Sequence, residues 1–475
     1  MKVLFTHSYF LRFDKKQWEQ RKPYPPLATI QAASNLREKC HVVSLFDANF
    51  EESSFQIKPY LKQNPDYLVI YDDGFNYLTK MCLTNMREAA YEMIGFAKAQ
   101  GVKVFVSSSD STDHFEEYLQ KGADAVLLGE ADDTLLELIE SGENWNNCKG
   151  IAFLKNGDFV KTPPRANLKD LSDLPLPAWD LVDIKQYKEA WSIHGYFSIN
   201  LATTRGCPFK CNWCAKPIYG NRYNSRSPQH VVSEIKLIRS LFSFDHIWFC
   251  DDIFGLKPNW VQEFNAELKK EEIQIKYKIQ SRADLLVKDD TIKSLAESGC
   301  DEVWIGAESG SQKVLDAMDK GTSILQIEEG TKLMKSYGIK PCFFLQFGYL
   351  GEEWEDIKAT ETMLLTLMPH DIGVSVSYPL PGTKFYDEVK SHLNEKSNWS
   401  DSDELLMMYK GTFSPEFYKK LHRYIHKAFR SKQSLVQLQK GNLKSIFRFG
   451  YFKVFSLLHY FQVINLKKKN AIKYM

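Results

Sequence analysis

Thr203-Thr204-Arg205-Gly206-Cys207-Pro208-Phe209-Lys210-Cys211-Asn212-Trp213-Cys214 packs three thiols into eight residues, on a segment punctuated by glycine and proline. One short loop with such spacing wraps a single inorganic centre. A closed tetrahedral zinc site needs a fourth ligand, and neither flank of this loop supplies another Cys or His within ten residues. Three thiolates on a [4Fe–4S] cluster leave one iron open instead.

Outward from this loop the chain reads as alternating strands and helices. Downstream, strands are expected at Ser198–Thr204, His246–Asp252, Lys276–Arg282, Glu302–Glu308, Pro341–Gly348 and Gly373–Tyr378. Helical patterns at Pro228–Leu241, Pro258–Lys270, Asp289–Ser298, Ile324–Tyr337 and Glu353–Leu367 separate them. Six β/α units predict a partial (β/α)6 barrel over residues 196–400, with chemistry at the carboxyl ends of its strands. The cysteine loop sits just past the first of those ends.

Upstream, residues 1–141 carry candidate strands at Val3–Ser8, His41–Ala48, Tyr67–Asp73, Lys103–Ser108 and Ala125–Glu130. Helical patterns at Pro26–Glu38, Thr84–Ala99, Thr112–Lys121 and Asp132–Glu140 lie between them, with a weaker one at Glu52–Lys62. This is the pattern of a doubly wound, Rossmann-like α/β domain. Residues 142–195 lose that periodicity and read as a linker with a hairpin around Lys155–Asp158, rich in proline near Pro163, Pro164, Pro175 and Pro177.

The chain of 475 residues has a net charge of +1, which conceals an asymmetry. Glu416–Met475 holds 14 Lys and Arg against one acid, leaving −12 for residues 1–415. Residues 401–475 are thus expected to be a basic, helical extension. Its aromatic run Ile446–Phe461 is broken by Arg448 and Lys453 and followed by Lys467, Lys468 and Lys469, a poor candidate for a membrane span. Such a helix suits docking on the acidic body or peripheral contact with a membrane; no nucleic acid is expected as a partner. Nine scattered cysteines argue against a disulfide framework, and the start of the chain lacks a signal-peptide pattern, so a cytoplasmic location is expected.

The Cys-x3-Cys-x2-Cys run with an aromatic, Trp213, before its last cysteine resembles the signature of the radical S-adenosylmethionine (SAM) superfamily. That resemblance implies a [4Fe–4S] cluster on Cys207, Cys211 and Cys214. It further implies an open iron that binds the amino and carboxylate groups of SAM, and reductive cleavage of SAM to a 5′-deoxyadenosyl radical. It places Trp213, Asp251, Asp252, Ser281, Arg282 and Glu308 around the cofactor. Asp251 and Asp252 would accept from its ammonium, Arg282 would pair with its carboxylate, and Glu308 would reach its ribose or methionine end. Ile305-Gly306-Ala307-Glu308-Ser309-Gly310-Ser311 is close to the superfamily's Gly-Ile-Glu-Ser-Gly-Ser, and Tyr378-Pro379-Leu380-Pro381-Gly382 looks like the turn after its sixth strand.

A doubly wound domain ahead of such a barrel resembles the cobalamin-binding class of these enzymes, including the anaerobic magnesium-protoporphyrin ester cyclases. Tyr24-Pro25-Pro26-Leu27 and Gly129-Glu130 carry that likeness. Two departures stand out: Ser107-Ser108-Ser109-Asp110 replaces a frequent Gly-Gly-x-His, and no Asp-x-His-x-x-Gly offers a lower axial ligand. The resemblance implies cobalamin as second cofactor and an external flavodoxin- or ferredoxin-type electron donor. It also implies methylation of an unactivated carbon on a small-molecule or lipid-like substrate. A radical cyclase or rearrangement enzyme of the same architecture is the alternative, and a non-catalytic corrinoid or SAM sensor the alternative of another kind. A methylthiotransferase would need Cys40, Cys82 and Cys148 to form a second cluster, and their contexts do not suit one.

Overall fold

A computed structural model of the chain describes residues 1–75, 83–142, 145–216, 218–288, 290–393 and 407–473. Cys82, Asp289 and the boundary expected near residue 400 lie outside them. The chain divides into two compact units. The first comprises Met1–Pro208 and Lys216–Ile279. The second comprises Phe209–Ala215, Gln280–Ser397 and Leu405–Met475.

In the first unit, β1 (Lys2–Thr6), β2 (Val42–Phe46), β3 (Tyr67–Tyr71), β4 (Lys103–Ser107) and β5 (Ala125–Leu127) form a parallel sheet. All five residues of β3, Tyr-Leu-Val-Ile-Tyr, are buried, as expected of a central strand covered on both faces. Leu4, Ile70, Val104, Val106 and Val126 interlock in one core with Ala89, Met93 and Ile94 of the helix Thr84–Lys98. The expected hairpin forms as β6 (Ile151–Lys155) and β7 (Asp158–Lys161), and it pairs antiparallel onto β5. The seven-stranded order β2-β1-β3-β4-β5-β6-β7 therefore runs beyond residue 141. The helix expected over Thr112–Lys121 begins earlier, at Ser109, and is interrupted at His114 between Ser109–Asp113 and Phe115–Gln120. Ser108 caps it by accepting from the Ser111 amide at 2.8 Å.

From Ser198 the chain forms β8 (Ser198–Leu201), then a short antiparallel ribbon of β9 (Thr204–Arg205) with β10 (Asn224–Ser225). β11 (His246–Phe249), β12 (Tyr277–Ser281), β13 (Cys300–Glu308), β14 (Lys340–Phe347) and β15 (Asp371–Val376) follow. The six long strands make one sheet in the order β15-β14-β13-β12-β11-β8, so each β/α step adds its strand to the same growing edge. The two compact units divide within β12, between Ile279 and Gln280.

The intervening helices start where their capping residues stand. Ser227 precedes Pro228 and accepts from the His230 amide, and Ser323 forms a reciprocal box with Gln326 at the head of Ile324–Ser336. In the second unit, Ser414 and Pro415 open a long helix, Pro415–Gln439, which packs on the helix Trp354–Leu367 and on β15. A further helix, Ser445–Lys473, pairs with Pro415–Gln439. No described helix is long and apolar enough to cross a membrane.

Candidate functional site

The β9–β10 ribbon closes the neck of the loop from Gly206 to Tyr223. Gly206 stands at its entrance with φ +79°, and a β-carbon there would lie 2.5 Å from the Arg222 carbonyl oxygen, so only glycine fits. Asp251, at the end of β11, holds the approach to this neck. Its carboxylate accepts from the Thr203 amide at 2.7 Å, the Thr203 hydroxyl at 2.6 Å and the Thr204 amide at 2.8 Å. Asp251 is fully buried, and burial pushes its carboxyl up to about 6 against those hydrogen bonds. The role expected for it, accepting from a cofactor ammonium, gives way to a positioning one, because its oxygens are already engaged by the strand end. Asp252, its neighbour, is exposed.

Arg205, the last residue of β9, is buried against two carboxylates, Glu130 at 2.6 Å and Asp132 at 2.6 Å. The same unit bears a small cleft of about 10 Å³ at the carboxyl ends of β3 and β4. Tyr71, Asp72, Asp73, Ser108, Ser109 and Tyr219 are among its walls. Burial raises Asp72, and it lifts Asp73 to about 6. Asp72 accepts from the Ser8 amide at 2.7 Å and the Ser8 hydroxyl at 2.9 Å, and Asp73 accepts from the Phe75 amide at 3.0 Å. The serines that replace the expected glycines thus stand at the strand ends where the doubly wound fold receives ligands.

In the second unit, Asn212 anchors the segment between Cys211 and Cys214. Its amide donates to the Met318 carbonyl at 3.1 Å, and its side-chain Nδ2 to Ala317 at 2.7 Å. Its Oδ1 accepts from the Tyr349 hydroxyl at 2.8 Å, and its carbonyl accepts from the Phe385 amide at 3.0 Å. Every polar group of Asn212 is therefore tied to the unit, at Ala317–Met318, at Tyr349 and at Phe385.

Arg282 follows β12 and is buried. Its Nε meets Asp284 at 2.9 Å, and its Nη2 donates to the Lys320 carbonyl at 2.8 Å and the Thr322 hydroxyl at 3.1 Å. Nη1 lies 3.9 Å from Cys211 Sγ, and the guanidinium stacks 3.7 Å from the Phe209 ring centroid. Glu308 ends β13 beside a register shift, in the left-handed region at φ +54°, and forms a buried ion pair with Lys320 at 2.8 Å. A β-carbon on Gly306 would sit 2.5 Å from both charged groups, so glycine makes room for the pair. Burial alone would depress the Lys320 ammonium, but the charges of Glu308 and Cys211 hold it above its ordinary value.

Two positive groups, Arg282 and Lys320, thus face Cys211, the arrangement that a thiolate or an anionic cluster requires. Cys207 is buried, and Cys211 and Cys214 are half-buried. Ser281 is buried at the end of β12, and the Trp213 indole N–H is buried without a partner. Among the described residues no three His, Cys, Asp or Glu side chains gather closely enough to hold a metal ion. Within the second unit, the structure fixes the anchorage of the segment that carries Cys211 and Cys214. Asn212, Lys320 and Tyr349 were missed in the sequence, where only the position of Asn212 inside the cysteine spacing marked it out. Cys250 and Cys300 are buried, as expected of small core thiols.

Residues 201–364 match the Radical SAM superfamily. The chain is 26% identical, over 79% of its length and 81% of the relative's, to an uncharacterised methyltransferase of Pyrococcus horikoshii. It is 25% identical to the anaerobic magnesium-protoporphyrin IX monomethyl ester cyclase of Synechocystis, over 67% of this chain and 64% of that protein. Among solved structures, the radical SAM methyltransferase TsrM from Kitasatospora setae superposes with a TM-score of 0.68 at 18% identity, covering 82% of this chain and 74% of that one. The cobalamin-dependent SAM radical enzyme OxsB superposes with a TM-score of 0.73 at 17% identity, covering 97% and 72%. The shared fold therefore takes in the doubly wound unit as well as the barrel strands. Residues 201–364 therefore form a radical SAM domain.

Proposed function

We propose that the protein is a cobalamin-dependent radical SAM methyltransferase. It would act on a small or lipid-like substrate and draw electrons from a flavodoxin- or ferredoxin-type donor. The observation that carries this reading is the combination of the cysteine loop on a radical SAM domain with a doubly wound sheet of the kind found in TsrM and OxsB. The named function of the Pyrococcus relative supports methyl transfer.

Cys207, Cys211 and Cys214 would hold the [4Fe–4S] cluster, and Asp72, Asp73, Ser107, Ser108 and Ser109 would meet the corrinoid amides. When bound, the cluster supplies one electron to SAM and the corrinoid supplies a methyl group. The chain's own residues do the rest. Arg282 and Lys320 oppose the negative charge at Cys211. Asn212 holds the loop backbone against the unit beneath it. Asp251 fixes Thr203 and Thr204 ahead of Cys207, and Trp213 keeps an indole donor in a water-poor setting.

The test is anaerobic purification with iron, sulfide and cobalt counted, followed by incubation with SAM and a low-potential reductant. Formation of 5′-deoxyadenosine and S-adenosylhomocysteine is expected. Material without iron–sulfur absorption would sink the reading. The likeness to the Synechocystis cyclase favours cyclisation as a second reading. A product carrying no additional methyl group would select it.

A further inference from the structure

The terminal helix Ser445–Lys473 has two dissimilar faces. One lies against Pro415–Gln439: Ser456 and Val463 are buried, Tyr460 meets Tyr424 with ring centroids 5.3 Å apart, and Lys427 stacks on Phe452 at 5.2 Å. The other, over residues 446–461, turns outward and is apolar. Phe447 is 86% exposed, Val454 64% and Phe461 63%, with Ile446, Tyr451, Leu457 and Leu458 exposed beside them. At 100° per residue these seven positions fall on one half of the helix circumference. Arg448 and Lys453 stand at the two borders of that half, Lys444 precedes it, and all three are exposed. No acid occurs anywhere between Ser445 and Met475.

We propose that this face docks in the plane of an anionic membrane surface. The apolar half would lie in the headgroup–acyl boundary, and the flanking cations would contact lipid phosphates. A scattered exposed apolar residue is ordinary, but a continuous stripe bordered by cations is the pattern of a helix that lies in an interface. Charge selects the occupant. A second copy of the same helix would set cation against cation, since Glu416–Met475 carries 14 basic residues and one acid. Nucleic acid would engage the cations but would leave Ile446, Val454, Leu457 and Leu458 in water. An anionic bilayer satisfies both halves of the surface, and its attraction extends only over about a Debye length, roughly 8 Å at physiological salt.

The proposal goes beyond the reaction and does not depend on it, because the experiment needs neither cluster nor turnover. The full chain is sedimented with vesicles of phosphatidylcholine alone, or of phosphatidylcholine mixed with phosphatidylglycerol. Binding to the mixed vesicles at least about tenfold tighter than to the neutral ones is expected, weakening as salt is added. Phe447→Ser, Val454→Ser and Phe461→Ser combined should lower that binding about tenfold or more, with helical content unchanged by circular dichroism. Lys444→Glu, Arg448→Glu and Lys453→Glu combined should abolish the preference for the anionic lipid. Equal partition to both vesicle types, or none to either, overturns the proposal. So does a dimer that the serine variant makes monomeric while vesicle binding is absent. Tighter binding to a duplex oligonucleotide than to the anionic vesicles overturns it as well.

Discussion

Arg282 touches two things at once: its Nη1 lies 3.9 Å from Cys211 Sγ while its Nη2 donates to the Lys320 carbonyl at 2.8 Å. One planar fork therefore links the cysteine loop to the turn after the helix Gln312–Ala317. Lysine would keep the charge but lose the fork and the stacking on Phe209. Arg282→Lys is expected to retain its iron while SAM cleavage falls about ten- to hundredfold, the worth of a charge-assisted hydrogen bond of roughly 1.5–3 kcal/mol. Counting iron and 5′-deoxyadenosine in the same preparation checks it.

The three thiols should behave as a set. Replacing Cys207, Cys211 or Cys214 singly by alanine is expected to remove the visible iron–sulfur absorption and to stop SAM cleavage. Cys250→Ala, a change in the core, should leave the iron content intact. Parallel iron and sulfide analysis of the four variants separates ligands from packing thiols.

Glu308 and Lys320 form a pair with both side chains under 10% exposed. Removing one partner strands the other charge in a poorly solvated place. Lys320→Met is expected to cost about 3–5 kcal/mol of stability, and adding Glu308→Gln should recover much of that loss. A double-mutant cycle by urea unfolding provides the readout.

Asn212 makes its four hydrogen bonds to residues 105 or more positions away in sequence. Asn212→Ala leaves the Ala317 carbonyl without its amide donor, at a cost of about 1–3 kcal/mol. Because the cut falls between two of the candidate ligands, iron retention should suffer more than the unfolding midpoint does. Iron content compared with the denaturant midpoint tests this.

Glu352 is fully buried, accepts from the Gly348 amide at 2.7 Å, and has its carboxyl pushed by burial from 4.5 to about 8. A folded-state value above the unfolded one means that its contribution is complete below about 4.5 and drains away as pH rises through 8. Glu352→Gln keeps the acceptor and has no proton to lose. The wild type should therefore lose stability relative to the variant between pH 6 and 9, by at most about 2.7 kcal/mol, most of it below pH 8. Urea midpoints measured across that range decide it.

Much of the fold was legible because its strands are short apolar runs and its helices begin at Ser, Pro or Asp. Pro228–Leu241 falls where periodicity and its Ser227 cap put it, and Asp132–Glu140 where periodicity alone does. The hairpin at Ile151–Lys161 was legible as a hairpin, but its pairing onto β5 was not, since nothing local encodes which edge a ribbon joins. The helix near Thr112 started early because Ser108 supplies a cap that outweighs the modest helix propensity of the serines after it.

The candidate site divided in the same way. Cysteines spaced along one loop announce themselves locally, as does a glutamate within Gly-Ala-Glu-Ser-Gly. Lys320 and Tyr349 carry no such mark, because their relevance comes from distant segments meeting. Asp251 was legible as an acid at a strand end, but the direction in which its oxygens point depends on Thr203 and Thr204, 48 and 47 residues earlier.

The long reach of Asn212 bears on when the protein can take up metal. Its partners Ala317 and Tyr349 follow it by 105 and 137 residues. At a synthesis rate of about 5–20 residues per second, the second of them emerges roughly ten seconds or more after Asn212 itself. During that interval the cysteine loop is outside the ribosome without the scaffold that later grips it. Loading with iron and sulfide thus belongs to a stage after translation of the barrel, and a truncated nascent chain would be a poor recipient.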